Sequence, residues 1–234
     1  QAKNALAVTL AIIAERRAST EELLVAADAL KEVVEATPRD RVPEEWAAAQ
    51  SNYGTLLMRL GEMTGDPEWL RQSVAALESS VGPDEREHNP VGWAVVINVL
   101  GAAQMELGKQ TGDVAMIERG LATTESALEV RTRERMPFDW AQSNINIGLA
   151  LDALGRQTRD PAYFERALEF NAKAFQVYTR ESSPVEWGMA IYQNARTRDA
   201  LAWLTGNADM ATRAVADYRS AVTELTFERD PARW

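Results

Sequence analysis

Five tryptophans, Trp46, Trp93, Trp140, Trp187 and Trp234, follow one another at intervals of 47 residues in a chain of 234. Evenly spaced indoles can stack on bases or sugars. They can also be identical packing wedges at helix starts. Identity in every copy favours packing, because a recognition surface varies between copies and a packing lattice does not. Other chemistry-bearing residues are sparse. His88 is the only histidine, in the polar run Asp84-Glu85-Arg86-Glu87-His88-Asn89, and no second histidine stands at metal-ligand spacing. Cysteine is absent, which removes disulfides, thiolate ligands and cysteine nucleophiles together. The carboxylate pairs Glu21-Glu22 and Glu44-Glu45 fall at predicted helix starts, where negative charge meets the positive end of the helix dipole. No Ser/His/Asp set assembles, and neither phosphate-cradling glycine string occurs. No catalytic residue, metal or cofactor is therefore expected.

Charge and hydropathy exclude more. A net charge of −10 argues against nucleic-acid backbones, which require clustered Lys and Arg. The sequence has no apolar run near the roughly 20 residues of a membrane span, so neither membrane insertion nor a signal segment is expected. The cytoplasm is the expected compartment.

The tryptophans belong to a lattice. Pro43, Pro90, Pro137, Pro184 and Pro231 stand three positions before them. Eight positions after them come Gly54, Gly101, Gly148 and Ala195, and fourteen after come Leu60, Leu107, Leu154 and Leu201. Gly61, Gly108, Gly155 and Ala202 follow directly. Next is a column of Ser19, Asp66, Asp113, Asp160 and Asn207. Proline suits the first helical position because its missing N–H would be unpaired there. Asn89, Ser183 and Asp230 read as N-caps before three of the prolines, and the Ser19 to Asn207 column reads as N-caps of a second helix. Ser183 to Glu186 and Ser19 to Glu22 have capping-box spacing. The Leu-Gly pair is expected to end the first helix. The predicted helices are 2–18, 20–37, 43–61, 67–81, 90–108, 114–134, 138–155, 161–180, 185–204 and 208–228, with a loop over 82–89. A helix pair cannot bury its apolar face alone, so neighbouring pairs must stack.

The pattern resembles the tetratricopeptide repeat (TPR) family. Tyr53-Gly54, Leu57 and Gly61 fit that family's first helix, as do Ile147-Gly148, Leu151 and Gly155. Ala167, Asn171 and Ala174-Phe175 fit its second helix in spacing, as do Ala214, Tyr218 and Ala221-Val222. This unit is longer than the usual 34 residues and is similar to long-helix variants in bacterial proteins. The resemblance implies an all-α fold: an α-solenoid of about five helix-turn-helix repeats, ten antiparallel helices in a right-handed superhelix. One domain is expected over 1–234, with repeats at 1–42, 43–89, 90–136, 137–183 and 184–230, and with 231–234 starting another. Gln1 lies two positions after a missing Trp, so the chain reads as a window on a longer array with a truncated N-terminus.

The resemblance further implies a concave surface lined by the first helices, with ligand contacts from one stripe. The candidate contacts in this chain are Asn52, Thr55, Asn98, Asn146, Asp152, Tyr192, Gln193, Arg196 and Asp199. Amides donate and accept, so they suit a peptide backbone in either sense; they suit bonds between adjacent helices equally. The family's chaperone-binding clamp needs lysines that this stripe lacks. In the last full repeat, Arg196 and Arg198 are either the polar cap of the stack or a local anion site. The leading expectation is a non-catalytic scaffold for a protein or peptide. Its rivals are self-association end to end through exposed terminal helix faces, giving a homo-oligomer, and a regulatory segment of a larger bacterial enzyme or signalling protein.

Overall fold

A computed structural model describes residues 2–82 and 84–226. Pro231, Trp234, the Asp230 cap and Gln1 lie outside the described residues. Those described form eleven α-helices and no strand. In chain order they are α1 (Ala2–Arg16), α2 (Thr20–Ala36), α3 (Pro43–Thr64), α4 (Pro67–Ser80), α5 (Glu85–His88), α6 (Pro90–Thr111), α7 (Val114–Ala127), α8 (Pro137–Thr158), α9 (Pro161–Ala174), α10 (Pro184–Thr205) and α11 (Ala208–Glu224).

The first helices α3, α6, α8 and α10 all run 22 residues from the lattice proline to a threonine. They pass through the Leu-Gly pair expected to end them. Gly61, Gly108 and Gly155 are inside the helix because the second helix lies against them. A Cβ on Gly61 would stand 2.5 Å from Leu70 Cγ, and one on Gly155 would stand 2.8 Å from the Phe164 ring. The true stop comes four positions later, in a left-handed residue: Gly65, Gly112 and Gly206, with Ala18 (φ 49°) and Arg159 (φ 58°) in the same column. Glycine is favoured there because a Cβ is strained at positive φ.

The second helices start as the sequence predicts. The side chains of Ser19, Asp66, Asp113, Asp160 and Asn207 accept from backbone N–H groups of the first turn. Asn89 caps α6 through Gly92 N–H. Two capping boxes do not close. Ser183 makes no capping bond and turns back to Thr179 O. Glu22 is drawn to Arg17 instead of returning to Ser19. The α7 and α9 helices end at Ala127 and Ala174, several residues before the predicted ends, as the chain turns to bury Arg131 and Tyr178. Helix α5 falls in a predicted loop.

Every helix packs only against near neighbours in the chain. Each first helix lies along its own second helix, and each second helix lies along the next first helix. First helices also meet one another, as α1·α3, α3·α6, α6·α8 and α8·α10. No two second helices share such a contact, so the first helices form the inner row. Apolar layers run between the pairs: Leu57 and Leu60 on Leu23 and Leu30, Leu100 and Leu107 on Leu70 and Leu77, and Ile147, Leu151 and Leu154 on Ile117 and Leu121. Helix α6 is long and apolar enough to cross a membrane by length and composition, but 61% of that stretch is buried inside the molecule. That is the mark of a central packing helix.

Candidate functional site

The inner row has four junctions between consecutive first helices. The residue nine positions before each lattice tryptophan decides how each junction is filled. That column reads Thr37, Asp84, Arg131 and Tyr178.

At the α6/α8 junction Arg131 is only 3% exposed. Its Nη1 donates to Ser143 Oγ at 3.2 Å, and its Nη2 lies 3.4 Å from the Asp139 carboxylate. Ser143 Oγ in turn donates to Asn98 Oδ1 at 2.8 Å. Burial pulls the Arg131 guanidinium below its ordinary pKa, while Asp139 acts in the opposite direction. Its Nε is buried without a partner. At α8/α10 Tyr178 fills the same role. Its hydroxyl donates to Phe138 O at 3.1 Å, and its ring lies 6.1 Å from that of Phe138. Burial first, then the charges of Glu186 and Asp139, push its pKa up to about 12.

The other two junctions are not filled in this way. Thr37 lines a small recess of about 240 Å³ with Asn4, Val33, Glu44 and Ala48. At α3/α6 the second member of the column, Asp84, is exposed on the surface before α5. Asp84 lines a recess of about 290 Å³ with Glu85 and His88, and beside it a cleft of about 520 Å³ lies between α3 and α6. Its walls are Ala47, Ala48, Ser51 and Asn52 of α3 facing Gly92, Val95 and Val96 of α6. Glu44, Glu85, His88 and Asn89 form the rim at the helix starts. The cleft thus offers apolar walls, two amides, Asn52 and Asn89, and two carboxylates, Glu44 and Glu85. Such a mixture holds an apolar side chain and orients polar groups beside it.

A second hollow of about 420 Å³ lies at the opposite ends of α8 and α10, lined by Arg156, Arg159, Phe164, Asp199 and Trp203. Trp203 stands 79% exposed there.

The structure distributes the predicted stripe unevenly. Asn52 and Thr55 are half-buried on α3; Asn52 Nδ2 donates to Asn4 Oδ1 at 3.3 Å, and Thr55 is turned back to Ser51 O. Asn52 is the stripe residue that reaches the open cleft. Asn146 is half-buried on α8. Asn98 and Asp152 are buried, contrary to a ligand-facing role. Asn98 is held by Ser143, and Asp152 accepts from Arg156 at 2.7 Å. On α10, Tyr192 is exposed with its ring edge against Tyr218, and Asp199 is exposed on the same helix. Gln193 accepts from Arg196 at 3.1 Å. Arg198 is neutralised by Asp217, which also takes the Asn194 amide at 3.0 Å. Arg198 and Asn194 are thus tied to α11 while Arg196 bonds within α10, so the two arginines do not converge on one anion site.

The lattice residues lie at the junctions. Trp93 is buried against Ala94, Ala127 and Val130, and Trp140 and Trp187 pack with Ala141, Ala174 and Ala190. Pro43, Pro90, Pro137 and Pro184 open their helices. Gly54 leaves room for Leu77, Gly101 for Thr124 and Gly148 for Asn171. A further column is Arg39, Arg86, Arg133 and Arg180, seven positions before Trp46, Trp93, Trp140 and Trp187. The guanidinium carbons of Arg39, Arg86 and Arg180 sit 4.5, 5.0 and 5.7 Å from the Trp46, Trp93 and Trp187 ring centroids. These are cation–π contacts that clamp the starts of α3, α6 and α10.

No protein-family model matches the chain, and no curated protein matches it. Among solved structures a DHF58 filament chain aligns over 99% of this chain and 94% of that chain, at 14% identity. The TM-score of that alignment is 0.28, too low to bear on fold or function.

Proposed function

We propose that the chain is a non-catalytic, TPR-like α-solenoid that binds an extended protein segment along the inner row of first helices, with the α3/α6 cleft as its anchor point. The observation that carries this reading is the contrast among junctions. Arg131 and Tyr178 fill two of the four, and of the two left open the larger is a cleft of about 520 Å³ with apolar walls and an acidic rim, against about 240 Å³ at α1/α3. The chemistry of the cleft selects its occupant. Ala47, Ala48, Val95 and Val96 accept an apolar side chain, Asn52 pairs with the segment's backbone, and Glu44 and Glu85 attract a neighbouring Lys or Arg. The net charge of −10 steers basic partners to the surface.

The test is selection from a random peptide library displayed on phage, with affinities read by fluorescence anisotropy. Selected sequences should place an apolar residue beside a basic one. Val95→Glu, an exposed position on the cleft wall, should weaken their binding more than about tenfold. Selected peptides that bind Val95→Glu and the parent chain alike would remove the cleft from the account.

A further inference from the structure

The hollow of about 420 Å³ between the ends of α8 and α10 gathers three departures from the repeat. Arg159 ends α8 where α3, α6 and α10 end in Gly65, Gly112 and Gly206, and it holds their left-handed backbone at φ 58°. Trp203 stands in the column of Glu62, Lys109 and Arg156. Phe164 is aromatic where Leu23, Leu70 and Ile117 are aliphatic. All three changed side chains line the one hollow. A left-handed backbone is costly for a residue with a Cβ, and such strain is kept where the side chain has a use. Exposure is a property of the Trp203 column: Glu62 and Lys109 are also exposed, although α6 and α8 follow them.

The charges of the hollow are of two kinds. Arg156 is already engaged, by the Asp152 carboxylate at 2.7 Å and by Arg196 O at 3.1 Å. Arg159, at the end of α8, and Asp199, on α10, make no hydrogen bond or ion pair with each other or with any other described residue. Asp199 lies near enough to Arg156 and Tyr218 for its charge to act on both. The walls therefore carry one unjoined cation, one unjoined anion, the Phe164 ring and an indole that is 79% exposed. A ligand of single charge suits only half of this. A carboxylate on Arg159 would face Asp199, and an ammonium on Asp199 would face Arg159. A zwitterion with an aromatic ring serves both charges and the indole.

We propose that this hollow binds a free aromatic α-amino acid. Its carboxylate takes the Arg159 guanidinium, whose forked N–H groups match a carboxylate. Its ammonium takes Asp199 and the neighbouring face of Trp203. Its ring lies on the Trp203 indole beside Phe164. The hollow is within the size range of small-molecule sites. A residue inside a protein segment has neither its α-ammonium nor its α-carboxylate free, so this occupant differs from the one proposed for the α3/α6 cleft. The two sites are independent.

The test is a titration of the 234-residue chain with L-phenylalanine, read by saturation-transfer NMR on the ligand and by the indole N–H resonance that Trp203→Lys removes. That resonance should shift and saturate. N-acetyl-L-phenylalanine, which lacks the ammonium, and L-phenylalanine amide, which lacks the carboxylate, should each bind at least about tenfold more weakly. Arg159→Gly and Trp203→Lys restore residues of the repeat, so neither threatens the fold. Arg159→Gly should weaken binding by more than about tenfold while stabilising the chain, and Trp203→Lys should weaken it by more than about threefold. Val95→Glu, in the α3/α6 cleft, should bind phenylalanine as the parent does. Failure of phenylalanine to bind at millimolar concentration would overturn the proposal. So would N-acetyl-L-phenylalanine or the amide binding as tightly as phenylalanine, or Arg159→Gly binding it as the parent does.

Discussion

The α3/α6 and α6/α8 junctions are built on one 47-residue frame, yet one is open and the other filled. The helices on either side are the same length and begin at the same proline. The difference lies in the segment between them. Glu129-Val130-Arg131 folds the arginine under α8, while in the matching stretch Gly82 and Asp84 leave the acidic side chain outside. An aspartate at that depth would have neither a cation nor a donor row, and a buried unpaired carboxylate is costly. Arginine and tyrosine can be buried there because each has a long apolar stem and a polar tip that finds a partner, Ser143 and Phe138 O. The surrounding columns change with it: Ser143, Asn98 and Asp139 around Arg131 stand where the open junction has Val96, Ser51 and Gly92.

Emptying the filled junction should have the largest effect. Arg131→Ala removes a buried stem and leaves Ser143 without its donor, and should cost about 2–3 kcal/mol by urea denaturation. Arg131→Met keeps the stem and discards a cation with an unpartnered Nε, and should cost less than about 1 kcal/mol. Equal losses in the two variants would mean that the charge, not the filling, closes the junction.

Tyr178 makes the same comparison through pH. Its pKa is raised from 10.0 to about 12 in the folded chain, so the folded state favours the neutral phenol. The corresponding stability is complete below pH 10 and is lost as pH rises through 12. The loss should be about 2–3 kcal/mol relative to Tyr178→Phe, which has no group to ionise. At neutral pH the Phe variant should be weaker by about 1 kcal/mol, for the bond to Phe138 O. Parallel pH profiles for the two chains would show that Tyr178 is not held in the junction.

A smaller effect is expected where copies differ in the left-handed stop. Arg159→Gly should stabilise the chain by about 0.5–1 kcal/mol in thermal or urea unfolding, by relieving a strained φ. The smallest is Asn52→Ala, whose single amide bond to Asn4 is half exposed. Stability should change by less than about 0.5 kcal/mol, while peptide affinity falls measurably in anisotropy.

Much of the fold is legible in the sequence because helix ends are local chemistry. The Asp66, Asp113 and Asp160 caps and the N1 prolines act within one turn, so reading them needs no neighbours. The misread features depend on neighbours. Gly61 looks like a stop but is a contact, since Leu70 comes to it from another helix. Asn98 and Asp152 look like a ligand-facing stripe, but the next first helix covers one and Arg156 the other. The α3/α6 cleft was not visible as a motif because its walls come from two helices, Ser51 and Asn52 on one and Gly92 and Val96 on the other. The signal available was a column that ran Thr, Asp, Arg, Tyr amid columns that barely change.

Whether Asp84 is the reason the cleft is open can be tested directly. Asp84→Tyr installs the residue of the filled α8/α10 junction at an exposed position that makes no demand on the core. The affinity of a library-selected peptide should fall more than about tenfold by anisotropy, with unfolding unchanged or slightly stabilised. A peptide that binds Asp84→Tyr as tightly as the parent chain would contradict the claim that this open junction is the binding site.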